Sequence, residues 1–304
     1  MKNIYNKIII TLIIQAFLLH QAQAYTSLKV KFYSASVQQA LDCYILLPDS
    51  YFLSDKKFKT MYMLHGFSGY YMSWVNYACF DENLADTYQT IFIFPDMGNS
   101  FYLNWKCQTD NKPHQWENAL VDDLIPFIDK MFASDTSYRM LGGLSMGGYG
   151  ALQIGIKHAP LFKAILSSGG CIDITEYIQD EIRNNKNDWN QPELWYDTSM
   201  YKYPIPGFAS QIERTPKGSL FCDISDVLQN DIYHNIRQQK YSLPYIIFDC
   251  GLHDDHLSAN RKLAAYLQRN NIAFDYIELE GNHEHPYWKN ALDITLPILF
   301  SKVK

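Results

Sequence analysis

What this chain has little of narrows it first. Only 19% of its 304 residues are charged, and basic residues do not dominate: 26 Lys and Arg stand against 32 Asp and Glu, a net charge of −6. Nucleic-acid binding needs clustered Lys and Arg, so no nucleic-acid partner is expected. No block of like charge is long enough for an interaction tail, and no internal repeat or low-complexity run is visible. Cysteine is sparse, with six residues and no CxxC pair, so a structural zinc site is not indicated. The N-terminal apolar run, Ile8 to Leu19, is about 12 residues long and too short to span roughly 30 Å of hydrocarbon.

That run has another reading. Lys2 and Lys7 precede it, and the small residues of Ala22-Gln23-Ala24 follow it. Together they make the pattern of a secretory signal peptide over 1–24, with cleavage expected after Ala24. The expected destination is the periplasm or the exterior, with no membrane attachment once the signal is removed. No cysteine lies at the cleavage region, which argues against a lipid-anchored product. Export permits disulfides. Cys43 and Cys250 lie in apolar, strand-like runs and read as buried thiols, whereas Cys79 and Cys107 are loop candidates for a bridge.

With 47% hydrophobic residues, residues 25–304 suffice for one sizeable α/β domain. Short apolar runs alternate with segments of helical period. The runs are Leu41–Pro48, Thr60–Gly66, Gln89–Asp96, Tyr138–Gly143, Lys163–Gly169, Pro244–Gly251 and Phe274–Gly281. Most are continuous and not alternating, as expected of strands covered on both faces. Helices are expected over 116–132, with a kink at Pro126, and over 146–159, 258–270 and 285–300. This rhythm predicts a mostly parallel, doubly wound sheet, with the first strands, near Val30 to Leu47, antiparallel. From about Ile172 to Phe221, after the sixth strand, the chain turns polar and aromatic without a clear period, which reads as a lid or binding insertion.

Between an apolar strand and a helical pattern stands Gly143-Leu144-Ser145-Met146-Gly147-Gly148. A nucleophilic serine on a strained strand-to-helix turn needs tiny residues two positions to either side, the G-x-S-x-G pattern of the α/β-hydrolase nucleophile elbow. The pattern alone is moderately specific, so the chain must also supply a base, an acid and an oxyanion hole. After the last strand, "GNHEHPYW" offers His283 and, as a rival, His285. After the preceding strand, "FDCGLHDDH" offers Asp254 and Asp255; Asp249 lies inside the strand, too early. The order Ser145, Asp254, His283 matches the order of such hydrolases. Consecutive side chains of His253 to His256 diverge, so no metal or other cofactor is expected. The oxyanion donors should be the N–H groups of Met146, after the nucleophile, and of Phe67, in the early loop "LHGFSG". His65 beside it suits loop shaping better than catalysis.

Several segments carry a resemblance: "YMLHGFSGYYMSW", "FPDMGNSFYLNW", "GLSMGGYGALQIGIKHAPLFKAILSSGG", "DCGLHDDHLSAN" and "GNHEHPYW". The chain resembles the esterase D and feruloyl esterase group of α/β-hydrolases, itself similar to the antigen 85 mycolyltransferases and S-formylglutathione hydrolases. The resemblance implies an α/β-hydrolase fold and a serine esterase. It puts the nucleophile on Ser145, the acid on Asp254 with Asn260 six positions on, and the base on His283, with Trp288 at a recurrent aromatic position. His285 departs from the pattern, where the family often has tryptophan, and so bears on the leaving-group pocket.

Export disfavours an intracellular thioester substrate. The expected activity is therefore that of a carbohydrate esterase removing feruloyl or acetyl groups from plant polysaccharide. Trp105, Trp189, Trp195, His285 and Trp288 are the candidate substrate contacts. Trp189, Trp195, Tyr196, Tyr201 and Tyr203 of the insertion offer rings for sugars or a cinnamoyl group. Two other outcomes are an acyltransferase, with an alcohol replacing water, and a binding module on a hydrolase fold. The latter predicts a missing triad member, and none is missing.

Overall fold

The structure is a computed structural model that describes residues 26–186, 189–196, 211, 213–239 and 241–303. The expected signal peptide, Tyr201 and Tyr203 lie outside the described residues. An eight-stranded sheet organises the chain: β1 (Thr26–Ser34), β2 (Gln39–Leu47), β3 (Phe58–Leu64), β4 (Thr90–Pro95), β5 (Ser134–Leu144), β6 (Ala164–Ser168), β7 (Tyr245–Gly251) and β8 (Phe274–Leu279). Their order across the sheet is β1-β2-β4-β3-β5-β6-β7-β8. β1, β2 and β4 pair antiparallel in sequence, and every pairing from β4 to β8 is parallel. The continuous apolar runs become the central strands, and the short connection between β1 and β2 becomes an antiparallel hairpin, as expected.

Residue alternation explains why these strands are apolar throughout. In β4, Ile91 and Ile93 belong to one buried cluster, and Phe92 and Phe94 to the other; in β3, Tyr62 and Leu64 oppose Met61 and Met63 in the same way. Each face carries its own helices. One receives α2 (Met146–Lys157) through Tyr149, Leu152 and Ile156, and the other α4 (His285–Lys302) through Trp288, Leu292 and Leu299. The expected bend at Pro126 takes a specific form. A π-helical turn over Ala119–Leu124 runs into α1 (Ile125–Met131), with proline in its first turn, where its missing N–H costs least.

Two expectations need correction. The insertion after β6 is not without period: it opens with α3 (Ile174–Arg183), anchored by buried Ile174 and Ile178. Isoleucines four apart make one narrow apolar stripe, easily lost among the charged residues of that helix. The bridge is Cys107–Cys222, 115 residues apart in sequence, and not Cys79–Cys107; Cys79 is an exposed free thiol. It fastens the end of the insertion to the loop after β4, next to a two-residue strand pair, Cys107–Gln108 with Gly218–Ser219. Cys43 and Cys250 are buried thiols, as expected. Among the described residues no helix is long and apolar enough to cross a membrane.

Closing so long a loop constrains the unfolded chain more than the folded one. Cys107→Ser should lower the free energy of urea unfolding by about 2–5 kcal/mol, and Cys79→Ser should leave the urea midpoint in place. Equal midpoints for Cys107→Ser and the parent protein would contradict the bridge.

Candidate active site

Ser145 stands between the end of β5 and the first turn of α2 with φ +53° and ψ −120°, a conformation that residues carrying a β-carbon rarely adopt. Its neighbours are small because the backbone there is crowded. A β-carbon on Gly143 would lie 2.1 Å from the carbonyl oxygen of Gly147, and one on Gly147 would lie 2.4 Å from that of Leu64. The Ser145 N–H donates to the carbonyl of Ser168 at 3.0 Å, which ties the turn to the neighbouring strand.

The loops after β7 and β8 bring two more groups to this serine. His283 Nε2 lies 2.8 Å from Ser145 Oγ, and His283 Nδ1 lies 2.8 Å from Asp254 Oδ2. A carboxylate only accepts, so Nδ1 carries the ring proton and Nε2 is left to accept from the hydroxyl. The other oxygen of Asp254 accepts the N–H of His256 at 2.8 Å. Burial would raise the Asp254 carboxyl, but the hydrogen bond and charge of His283 and the His256 N–H outweigh it and hold the group below its ordinary range. The His283 ring is held edge-on between Trp288 and His256, at centroid distances of 5.0 and 5.1 Å. His256 is itself paired through Nδ1 with Asp173 Oδ1 at 2.9 Å. Asn260 is buried and donates to the carbonyls of Gly170 and His256, joining the loops after β6 and β7.

Beneath these groups lies a carboxyl set aside in the sequence reading as too early for a catalytic acid. Asp249, inside β7, is fully buried; its Oδ1 accepts from the hydroxyls of Ser168 at 2.6 Å and Tyr287 at 2.8 Å. Ser168 holds the serine turn through its carbonyl, and Tyr287 opens the helix that follows His283. One buried group thus connects the supports of both. Burial is the main cause that pushes its carboxyl up to about 7, against the two hydroxyl hydrogen bonds. The sequence signal was a lone acid within an otherwise apolar run.

The expected oxyanion donors flank the serine. Met146 opens α2, whose first N–H groups have no partner within the helix. Phe67 lies with Ser145 and His283 on the wall of a cleft of about 300 Å³. The loop carrying Phe67 is braced, since the N–H of Ser68 donates to Asn99 Oδ1 at 2.7 Å. His65 is buried, donates through Nδ1 to the carbonyl of Gly66 and accepts the N–H of Met97 at Nε2. Burial pushes its imidazole down to about 4, and a neutral ring that shapes the loop matches the expectation.

The candidate substrate contacts divide. His285 and Trp288 line the cleft beside Tyr77. The His285 imidazole is lowered by burial first and by the charge of His283 second. Trp105 is not brought to the cleft: it is fully buried, and its indole N–H donates to the carbonyl of Ser100. Trp195 packs on Phe67 at 4.9 Å between ring centroids, and Trp189 is half exposed beyond it. Of Tyr196 only the backbone is described. Asp254, His256 and His283 have ligand atoms close enough together for a metal ion. Each is already engaged in the hydrogen bonds above, an arrangement suited to moving a proton between serine and imidazole.

The chain is similar to several known proteins. A family profile described as "Putative esterase" matches residues 34–299. An acetyl esterase of Caldicellulosiruptor saccharolyticus is 28% identical over 276 residues, covering 87% of this chain and 94% of that protein. Among solved structures, an S-formylglutathione hydrolase from Staphylococcus aureus superposes with a TM-score of 0.67 at 18% identity, over 91% of this chain and 98% of that one. A ferulic acid esterase does so with a TM-score of 0.67 at 20% identity, over 92% and 100%. The fold is that of the α/β-hydrolases.

The buried carboxyl of Asp249 has a thermodynamic consequence. Its value of about 7 in the fold exceeds the ordinary 3.8, so the unfolded chain loses this proton first as pH rises. Its contribution to stability is present below about 4 and is lost as pH rises towards 7. Asp249→Asn, which cannot titrate, should flatten the fall in urea-unfolding free energy between pH 4.5 and 7.5. The same slope in both proteins would mean that Asp249 does not carry the effect.

Proposed function

This chain belongs to the Putative esterase family, and on that footing we propose that it is an exported carbohydrate esterase working through Ser145, His283 and Asp254. That it is a serine esterase follows from the family and from its acetyl esterase relative. The observation that carries the assignment of residues is the unbroken chain of contacts from Ser145 Oγ to His283 Nε2, and from His283 Nδ1 to Asp254 Oδ2, each 2.8 Å.

In this mechanism His283 Nε2 takes the hydroxyl proton as Ser145 Oγ bonds to the ester carbonyl carbon. The carbonyl oxygen becomes an oxyanion facing the N–H groups of Met146 and Phe67, each worth roughly 3 kcal/mol by analogy with other oxyanion donors. His283 returns its proton to the leaving alcohol oxygen as the carbon–oxygen bond breaks. A water then gives a proton to His283 as its oxygen bonds to the acyl carbon, and His283 returns that proton to Ser145 Oγ as the acyl–serine bond breaks and the acid leaves. Asp254 keeps its charge throughout and favours the imidazolium of His283.

The N-terminal pattern and the Cys107–Cys222 bridge support export, because disulfides persist in oxidising compartments. Export in turn supports a polymer-linked ester as substrate. The acetyl esterase relative supports acetyl as one acyl group, and the likeness to a ferulic acid esterase fold is compatible with feruloyl as another.

Ser145→Ala should lower kcat for p-nitrophenyl acetate by about a thousandfold or more; a variant near the parent rate would remove the nucleophile. Acetylated xylan and methyl ferulate, compared with p-nitrophenyl acetate by kcat/KM, test the carbohydrate reading, which fails if neither is turned over. The mature exported protein should begin at Tyr25 by mass spectrometry, and an intact Met1 would refute cleavage.

A further inference from the structure

A series of aromatic rings leaves the cleft and ends at the surface. Phe67, on the cleft wall, meets Trp195 at 4.9 Å between ring centroids; Trp195 meets Trp189 at 5.5 Å, and Trp189 stacks with Tyr177 at 6.1 Å and 25°. The outer pair is the more exposed: Phe67 and Trp195 are partly buried, whereas Trp189 is 50% and Tyr177 47% exposed.

An exposed tryptophan is costly to leave in water, and here the chain holds it there. The buried carboxylate of Glu181 accepts the N–H of Trp189 at both oxygens, at 2.8 and 3.0 Å, and that of Asn190 at 3.1 Å. The side chain of Asn190, also buried, accepts from the N–H and donates to the carbonyl of Phe221, each at 2.9 Å. Phe221 is followed by Cys222 of the disulfide. Buried polar groups so fully matched fix a backbone, and what they fix in place is a half-exposed indole.

We propose that Trp189 and Tyr177 form a platform that stacks on the sugar rings of a glycan chain whose esterified residue occupies the cleft. Half-exposed aromatic rings suit the C–H faces of sugars. The series is continuous with the cleft through Trp195 and Phe67, so a chain lying on it leads back to Ser145. Two ion pairs made by carboxylates of the same helix as Tyr177, Glu176 with Lys262 and Asp180 with Arg183, put polar groups near the rings. The platform deepens the carbohydrate reading above and rests on it.

Two measurements separate the platform from that reading. First, Trp189→Ala and Tyr177→Ala should each lower the ratio of kcat/KM for acetylated xylan to that for p-nitrophenyl acetate by about fivefold to tenfold, and Trp189→Phe should restore most of it. An unchanged ratio in both alanine variants overturns the platform. Second, xylohexaose and cellohexaose, which carry no ester, should quench the tryptophan fluorescence of Ser145→Ala protein, and Trp189→Ala in that background should abolish the quenching. If the parent enzyme hydrolyses p-nitrophenyl acetate but neither acetylated xylan nor methyl ferulate, the carbohydrate reading fails. The platform is then judged by the oligosaccharides alone, and absence of quenching by both rejects it.

Discussion

The backbone turn at Ser145 is the constraint on which the rest of the site depends. A residue with a β-carbon at φ +53° and ψ −120° costs of order 1–3 kcal/mol and persists only where its surroundings over-determine it. Here the N–H of Ser145 is fixed to Ser168, and its carbonyl accepts from Tyr149 at 3.0 Å. The absence of side chains at Gly143 and Gly147 lets strand, turn and helix approach more closely than any β-carbon would allow. The same turn also opens α2, whose first N–H groups have no partner within the helix. In the proposed mechanism a nucleophile and a site for negative charge are thus two consequences of one backbone feature.

Three titratable groups around this turn show burial setting the charge unless charged partners outweigh it. Asp249 and Asp254 lie on one strand and the loop that follows it, and both are buried. Asp254 receives a backbone N–H on one oxygen and an imidazole N–H on the other, and its carboxyl stays below the ordinary range. Asp249 receives two neutral hydroxyls on a single oxygen, and burial pushes it up to about 7. His65, with one donor and one acceptor from the backbone, is kept neutral. The ionised acid therefore falls at the loop where an imidazolium must form, and the group with the weaker solvation falls beneath it as a tie between loops.

Much of this was legible in the chain itself. The strand runs were visible because strands covered on both faces carry no polar alternation, and Ser145, Asp254 and His283 were visible because each follows a strand end in a fixed order. The helix at Ile174–Arg183 was not, since two buried isoleucines amid charges give too weak a period. The Cys107–Cys222 pairing was not either, because loop location says nothing about which thiols meet across 115 residues. Trp105 read as a contact by residue type, yet its indole N–H finds a carbonyl in the core. Asp249 was seen and set aside as an acid; its structural role depends on Tyr287, from a distant helix, which sequence order cannot bring near.

The insertion after β6 meets the loop after β3 at Phe67, and that residue has two parts with different tasks. The N–H of Phe67 faces the developing charge in the proposed mechanism, while its ring is the inner end of the aromatic series that runs to Trp189. Its loop is gripped from the other side by Asn99, whose amide donates to Thr215 at the far end of the insertion. A chain bound along the rings would press on the loop that positions the oxyanion donor. Contacts made far from the ester could then be expressed where charge develops, and binding energy used in that way raises kcat and not only affinity. Among the described residues, the disulfide and Asn99 tie the insertion to the loop after β4, and the Glu181 carboxylate ties α3 to the backbone at Trp189. A looser insertion would absorb the same contacts as local motion.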